Sequence, residues 1–296
     1  MSISDPPTEK RTHADFGVAV ELCSGMGGIG IGLQALGFRI AKAYDSWPEA
    51  VAIYNHNSAG EIATRCNLLS DKGRDLVKAD YRRLGHVDLL AAGPPCKGFS
   101  QLRNGHHDGR NGHNRVLASM PDYVALLRPR LFLIENVPDL VRHRKGKTLA
   151  DLLVRFERPA NRLRYRVEHK IYDAALFGTP QARRRILIFG VRHGSSEERL
   201  PEPGPDLAPL FAAIRHKGEV PVDLEPYFQA LNDPEDDTLT SASQALSDLP
   251  LLGAGAPEIE RAYAFGALSA FQRWSRSGAS EKLRDTRTPG CRCQMI

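Results

Sequence analysis

FGVAVELCSGMGGIGIGLQALGFRIAKAYD, residues 16–45, decides the fold. Residues 16–23 are apolar and β-branched and read as a strand; the glycines that follow mark a sharp turn, and a helical pattern then runs to about Gly37. Phe38–Tyr44 reads as a second strand. Pro48 opens the next helix, because the first helical turn has no use for the N–H that proline lacks.

Outward from this segment the alternation continues. Val87–Ala92 and Leu131–Glu135 are short, largely apolar runs of the kind buried on both faces of a sheet, and Ser119–Leu127 between them has helical spacing. Tyr165–Tyr172 and Arg185–Val191 read as strands. Such β-α alternation predicts an α/β fold with a doubly wound, mostly parallel sheet. After Arg192 the pattern degrades: Gly194–Asp206 is charged and proline-rich, and Leu207–Ile214 and Ser241–Leu249 each fit a short helix. The expected organisation is a polar tail over 1–15, a cofactor-binding and catalytic domain over 16–200, a linker with a partial helical region over 201–277, and a tail over 278–296 with no apolar period.

The chain has 296 residues, 42% of them hydrophobic and 25% charged, enough for one large α/β domain with an appendage. No apolar run has the length of a membrane span and the N-terminus lacks a signal-peptide core, so the expected location is the cytoplasm. Five cysteines, irregularly spaced and without a CxxC pair, imply neither a disulfide framework nor a zinc site. A net charge of +5 agrees with a polyanionic partner but does not by itself select one.

Gly25, Gly27 and Gly30 satisfy G-x-G-x-x-G directly after a strand, a turn that lets a ligand approach the backbone at a helix N-terminus. Asp45, about twenty residues on, stands where a carboxylate accepts from both ribose hydroxyls. NAD and S-adenosyl-L-methionine fit this equally. Asp80 is expected to close a further strand, where it would meet the exocyclic amine of an adenine; a solvated turn acid is the alternative.

The discriminating stretch is GPPCKGFS, residues 93–100, after the apolar run VDLLAA. A loop at the carboxyl end of a central strand is where open α/β sheets place their chemistry. Two prolines stiffen the approach, so that Cys96 is either held out toward the ligand or used as core filler. Glu135-Asn136-Val137 ends the next apolar run at the same edge, with Glu135 either an exposed strand-end charge or an acid tuned for proton transfer. In QARRR, residues 181–185, alternation in an extended segment sends Arg183 and Arg185 to one side, as a converging pair or a solvated basic run. Arg103–Arg115 is glycine- and asparagine-rich and cationic, and is read as a mobile loop that closes over the site; its three histidines lack the partners of a metal site.

The order ELCSGMGG, Asp45, Asp80, GPPCKGFS, ENV, QARRR resembles the consecutive motifs of the C5-cytosine-specific DNA methyltransferases, from Phe16 to Arg192. SQALSDLPLL and FQRW resemble the family's connection toward its recognition domain. The resemblance implies a Rossmann-like, S-adenosyl-L-methionine-dependent fold and methyl transfer to C5 of a cytosine flipped out of double-stranded DNA, in a restriction-modification or related system. It implies Cys96 as the nucleophile at C6, Glu135 at the N3 and N4 edge, and Arg183 and Arg185 at the O2 side. The cofactor would be held by Cys23, Ser24, Gly25, Gly27 and Gly28 of the turn, by Asp45, Ser46 and Trp47, and by Asp80 and Pro94. Lys97 stands where the family usually has glutamine, and Cys23 where it often has phenylalanine. The family's recognition domain and its final Gly-Asn-Ser/Ala-Val-type motif are not found. The expectation is therefore weak or unspecific methylation by this chain alone, as a split enzyme completed by a second chain or a truncated one. Methylation of RNA on the same fold is the neighbouring alternative, and an NAD-dependent oxidoreductase the more distant one.

Overall fold

The structure is a computed structural model that describes residues 16–58, 60–95, 112–195, 197–233, 235–236, 238–247, 249, 261–262, 266–276 and 282–283. The chain divides into two compact units, Met1–Ile171 with Arg185–Glu202, and Tyr172–Arg184 with Pro203–Ile296. The second unit is discontinuous: it takes the segment that carries Gln181 and Arg183 as well as the chain from Pro203 onward.

The sheet opens with β1 (Gly17–Leu22), and the glycine turn leads into α1 (Gly28–Ala35). β2 (Phe38–Asp45), α2 (Pro48–His56), β3 (Ala63–Arg65) and α3 (Asp71–Leu84) follow. β4 (Leu89–Ala92) and α4 (Gly112–Leu127) precede β5 (Leu131–Asn136), α5 (Lys147–Glu157), β6 (Tyr165–Asp173) and β7 (Arg184–Arg192). The strand order is β3-β2-β1-β4-β5-β7-β6. β3, β2, β1, β4 and β5 pair in parallel, and β7 pairs antiparallel with β5. The order reverses between β1 and β4, which makes the carboxyl ends of those strands the place where a ligand is expected.

Alternation along the strands builds a core on each face of the sheet. Val20, Leu22, Leu90, Phe132 and Ile134 pack with Met120 and Tyr123 of α4 and with Leu149, Leu152 and Phe156 of α5. Ala19, Leu89, Ala91 and Leu131 pack on the other face with Leu33 of α1. Both faces of the central strands are apolar, so the runs show little polar alternation in sequence.

The structure corrects one expectation. Asp80 closes no strand; it sits inside α3, where Ser70 caps the start by accepting from the Gly73 amide and Gly85, at φ 76°, ends the helix. Leu76, Val77, Asp80, Tyr81 and Leu84 recur at helical spacing, which outweighs any strand reading of this stretch. The strand in this part of the chain is the three-residue β3, too short to show a period.

In the second unit, Leu207, Leu210, Leu224, Ala230 and Leu239 form a separate small core. It is built with α6 (Ala208–His216) and α7 (Glu225–Ala230), and α8 (Ala242–Leu246) follows. Asp206 accepts from the Ala208 amide, and Ser241 and Gln244 form a reciprocal capping box at α8. α9 (Ala270–Arg276) and the two-residue strands β8 (Arg261–Ala262) and β9 (Lys282–Leu283) complete the described elements. Most of 278–296 lies outside the described residues.

Phe132 is fully buried, stacked on Phe156 at 4.8 Å between ring centroids and tilted against Tyr165 at 5.3 Å. Its cross-strand partner is Gly190, where an added Cβ would meet the ring at 2.1 Å. Gly190→Ala should therefore cost about 2 kcal/mol or more by overpacking, read as a lowered midpoint in urea denaturation; a midpoint equal to that of the parent would contradict this packing.

Candidate active site

Parallel pairing brings the ends of β1, β2, β3, β4 and β5 to one edge, and the groups singled out by sequence gather there. The turn after β1 runs through Cys23 (φ 51°), Gly25 (φ 54°) and Gly27 (φ 97°). At Gly27 a side chain would be doubly excluded, by the left-handed backbone and by the Tyr54 ring 3.0 Å from an added Cβ. Gly30 lets α1 pack on the strand, since a Cβ there would lie 2.4 Å from Tyr54 Oη and 2.7 Å from Glu21 Oε2.

Asp45, at the end of β2, holds this turn. Its Oδ2 accepts from the Gly25 amide at 2.8 Å and its Oδ1 from the Trp47 amide at 2.9 Å. Ser46 and Trp47 are exposed, Trp47 to 55%. Ser24 is buried and its Oγ has no partner among the described residues; nothing would obstruct a Cβ on Gly25 or Gly28. A turn with open backbone, an unsatisfied hydroxyl, a strand-end carboxylate and an exposed aromatic ring suits a nucleoside bearing a polar tail. Burial, followed by the nearby Asp45, pushes the Cys23 thiol well above its ordinary range, so it stays protonated.

Asp80 is committed elsewhere. Its carboxylate is buried, accepts from Tyr44 Oη at 2.7 Å and pairs with Arg83 at 3.4 Å. The polar side chain that follows β3 at the site's edge is the exposed Asn67, which sequence reading missed because β3 gave no signal.

Gly93 is the meeting point of three motifs. A Cβ placed on it would lie 3.7 Å from the Cys23 carbonyl oxygen, 3.7 Å from Glu135 Oε2 and 3.9 Å from Ile29 Cδ1. The buried amide of Asn136 donates through Nδ2 to the Pro94 carbonyl at 3.0 Å, and its Oδ1 accepts from the Val137 amide at 2.9 Å. The carboxylate of Glu135 meets Arg185 Nε at 2.5 Å, with the two side chains 29% and 24% exposed. Glu135 is therefore neither a free surface charge nor fully enclosed. Arg183, in the second unit, is exposed and donates its amide to Asp173 Oδ1 at 3.0 Å. Cys96 and residues 96–111, with most of the loop Arg103–Arg115, lie outside the described residues. Among the described residues no group of three or more His, Cys, Asp or Glu could hold a metal, and no helix is long and apolar enough to cross a membrane.

Glu21 was not singled out by sequence. It is 1% exposed on β1; its Oε2 accepts from Tyr54 Oη at 2.9 Å and its Oε1 has no partner among the described residues. Burial raises its carboxyl from an ordinary 4.5 to about 7, against the lowering effect of Tyr54 and the Gly30 amide. The folded group thus keeps its proton between pH 4.5 and 7 while the unfolded one loses it, so stability falls as pH rises through that window and levels off above it. Glu21→Gln, which cannot ionise, should gain on the parent by up to about 3 kcal/mol between about pH 4.5 and about pH 8. Urea melts at several pH values read this difference, and a gap that stays constant with pH would rule the buried acid out as its source.

The family profile of C-5 cytosine-specific DNA methylases matches residues 18–246. The type II methyltransferase M1.HphI of Haemophilus parahaemolyticus is 33% identical over 187 residues, 62% of this chain and 48% of that one. M.AgeI of Thalassovita gelatinovora is 32% identical over 186 residues, 63% of this chain and 41% of that one. This chain thus spans about half the length of the curated relatives it matches. A crystal structure described as a DNA modification methyltransferase encoded within a prophage of E. coli superimposes with a TM-score of 0.61 at 18% identity, over 86% of this chain and 63% of that one, a likeness of fold. With its profile matched over three quarters of its length, this chain belongs to the C-5 cytosine-specific DNA methylase family.

Proposed function

We propose that this chain carries the cofactor pocket and the nucleophile of an enzyme that methylates C5 of cytosine in double-stranded DNA, of the modification type for which its relatives are named. The observation that carries the reading is the convergence on Gly93: the cysteine loop begins within reach of both the glycine turn and Glu135.

Bound S-adenosyl-L-methionine supplies an electrophilic methyl group on a sulfonium. The residues that would hold it are those of the turn, Cys23 to Gly28, with Ser24 Oγ, and Asp45, Ser46 and Trp47. Each Asp45 oxygen already accepts one amide and retains a lone pair for a ribose hydroxyl. Asn67 takes the edge position that the sequence reading gave to Asp80. Pro94 would close the pocket from the cysteine loop.

C5 of cytosine is a poor nucleophile. Attack of the Cys96 thiolate on C6 forms an S–C6 bond and moves the C5–C6 π pair onto C5, which then takes the methyl group. Glu135 binds the N4 amino group and delivers a proton to N3, where charge would otherwise accumulate. Arg185 fixes Glu135 in that orientation. Loss of the C5 proton to a water molecule then expels the Cys96 thiolate, and N3 returns its proton to Glu135, which restores the neutral aromatic ring. Because C6 is inaccessible within a stacked pair, the target base is flipped out.

Transfer of a labelled methyl group to duplex DNA tests the reading. Cys96→Ala should abolish transfer and also prevent covalent trapping on 5-fluorocytosine DNA, while cofactor binding by equilibrium dialysis persists. Glu135→Gln should lower the rate about a hundredfold or more with little change in that binding. Turnover retained by Cys96→Ala would reject the assignment.

A further inference from the structure

Beyond β5 the chain passes through two short 3-10 turns, Pro138–Val141 and His143–Gly146, into α5, and reads RHRKGK over residues 142–147 without an acid. Arg142, Arg144, Lys145 and Lys147 are exposed, and none of the four forms an ion pair among the described residues. Several other cations of this unit are paired with acids, as in Arg83–Asp80, Arg155–Asp122, Arg166–Glu197 and Lys170–Glu202; what sets the elbow apart is four cations within six residues, unpaired among the described residues. The acids flanking the elbow, Asp139 and Asp151, are exposed and do not pair with it.

The cations sit on a fixed frame. Arg144 (φ 50°, ψ 41°) and Lys145 (φ 58°, ψ 40°) are left-handed in succession, a conformation that side chains disfavour. His143 Nδ1 meets Thr148 Oγ1 at 2.7 Å across the bend, and Leu140 and Leu149 are buried on either side of it. β5 runs parallel to β4, so the elbow leaves the sheet at the edge that carries the glycine turn and Gly93. Arg142 follows Asn136 by about six residues, at most about 20 Å of chain.

We propose that this cationic elbow is a sequence-blind contact for the substrate duplex, taking phosphodiester oxygens of the DNA backbone beside the base that occupies the site. The proposal rests on the DNA-methylating reading above. Its chemistry is that of point charges on a polyanion: no base edge is read, register on the duplex is fixed, and condensed counterions are released.

The test is binding of the full chain to a labelled duplex by fluorescence anisotropy between about 50 and about 200 mM salt. The variant combines Arg142→Gln, Arg144→Asn, Lys145→Asn and Lys147→Gln, asparagine being chosen because it tolerates the left-handed region. The slope of log affinity against log salt should become shallower by about 2 to 4, at about 0.9 for each phosphate that is no longer neutralised. Affinity at low salt should fall about tenfold or more, equally for unrelated sequences. Lys78→Gln with Arg82→Gln, on exposed positions toward the far end of α3, should leave the slope unchanged. If the fourfold variant melts early, Lys145→Asn and Lys147→Gln taken singly should each reduce the slope by about 1. A parental slope in these variants overturns the elbow contact and leaves the proposed function standing. Absence of salt-dependent duplex binding by the unaltered chain overturns both, and a slope change seen with structured RNA alone overturns the assignment to duplex DNA.

Discussion

The edge of the sheet where the cysteine loop begins is tied down by one side-chain amide. The Gly93 amide donates to the Leu22 carbonyl at 3.3 Å, but Pro94 and Pro95 have no N–H, so beyond Gly93 these residues can hydrogen-bond only through their carbonyls. Asn136 supplies the donor: Nδ2 binds the Pro94 carbonyl while Oδ1 is occupied by the next backbone amide, Val137. Both ends of the side chain are thereby used in a site that is 2% exposed. A carboxylate of the same shape would turn an acceptor toward the carbonyl, and an aliphatic residue would leave buried polar groups unpaired. The adjacent Glu135 inherits its position from the same strand end, and Arg185, arriving on antiparallel β7, closes on it.

The glycine turn is organised by its own residues before any ligand is considered. One Asp45 oxygen accepts the Gly25 amide of the turn and the other the Trp47 amide two residues on, which ties the turn to the end of β2 and occupies one lone pair on each oxygen. Glu21 and Tyr54 lock α2 and β1 together underneath it. An enclosed carboxyl that favours its protonated form is consistent with a position chosen for packing and hydrogen bonding beneath the turn rather than for charge. Preorganisation of this kind lowers the ordering cost of binding, because the backbone that meets the ligand is already held.

Much of this was legible in the sequence, for identifiable reasons. β1, the turn, α1 and β2 follow from a β-branched run, a glycine cluster and a second run, signals that act locally. The strand-end positions of Asp45 and Glu135 followed from where those runs stop. α3 was illegible because its buried stripe includes a carboxyl: Asp80 occupies a core-facing helical position, tied to Tyr44, and so interrupted the apolar pattern. Without α3, the short β3 and the Asn67 that follows it had no frame. The pairing of Glu135 with Arg185 was also beyond the sequence, which gave alternation within QARRR but not the antiparallel register that sets Glu135 opposite Leu187, two residues from that arginine.

The net charge of +5 says little until its distribution is known. An exposed ion pair contributes about 0–1 kcal/mol, so the pairs Arg155–Asp122, Arg166–Glu197 and Lys170–Glu202 matter less for stability than for cancelling the local field. Where cancellation is absent, as over residues 142–147, the field of four cations adds and extends over roughly one Debye length, about 8–10 Å at ordinary salt. A phosphate backbone approaching that edge of the sheet meets the summed field before it meets any single side chain. A chain of modest overall charge can in this way present a strongly positive rim on one edge of its sheet, and the same residues spread evenly over the surface would present none.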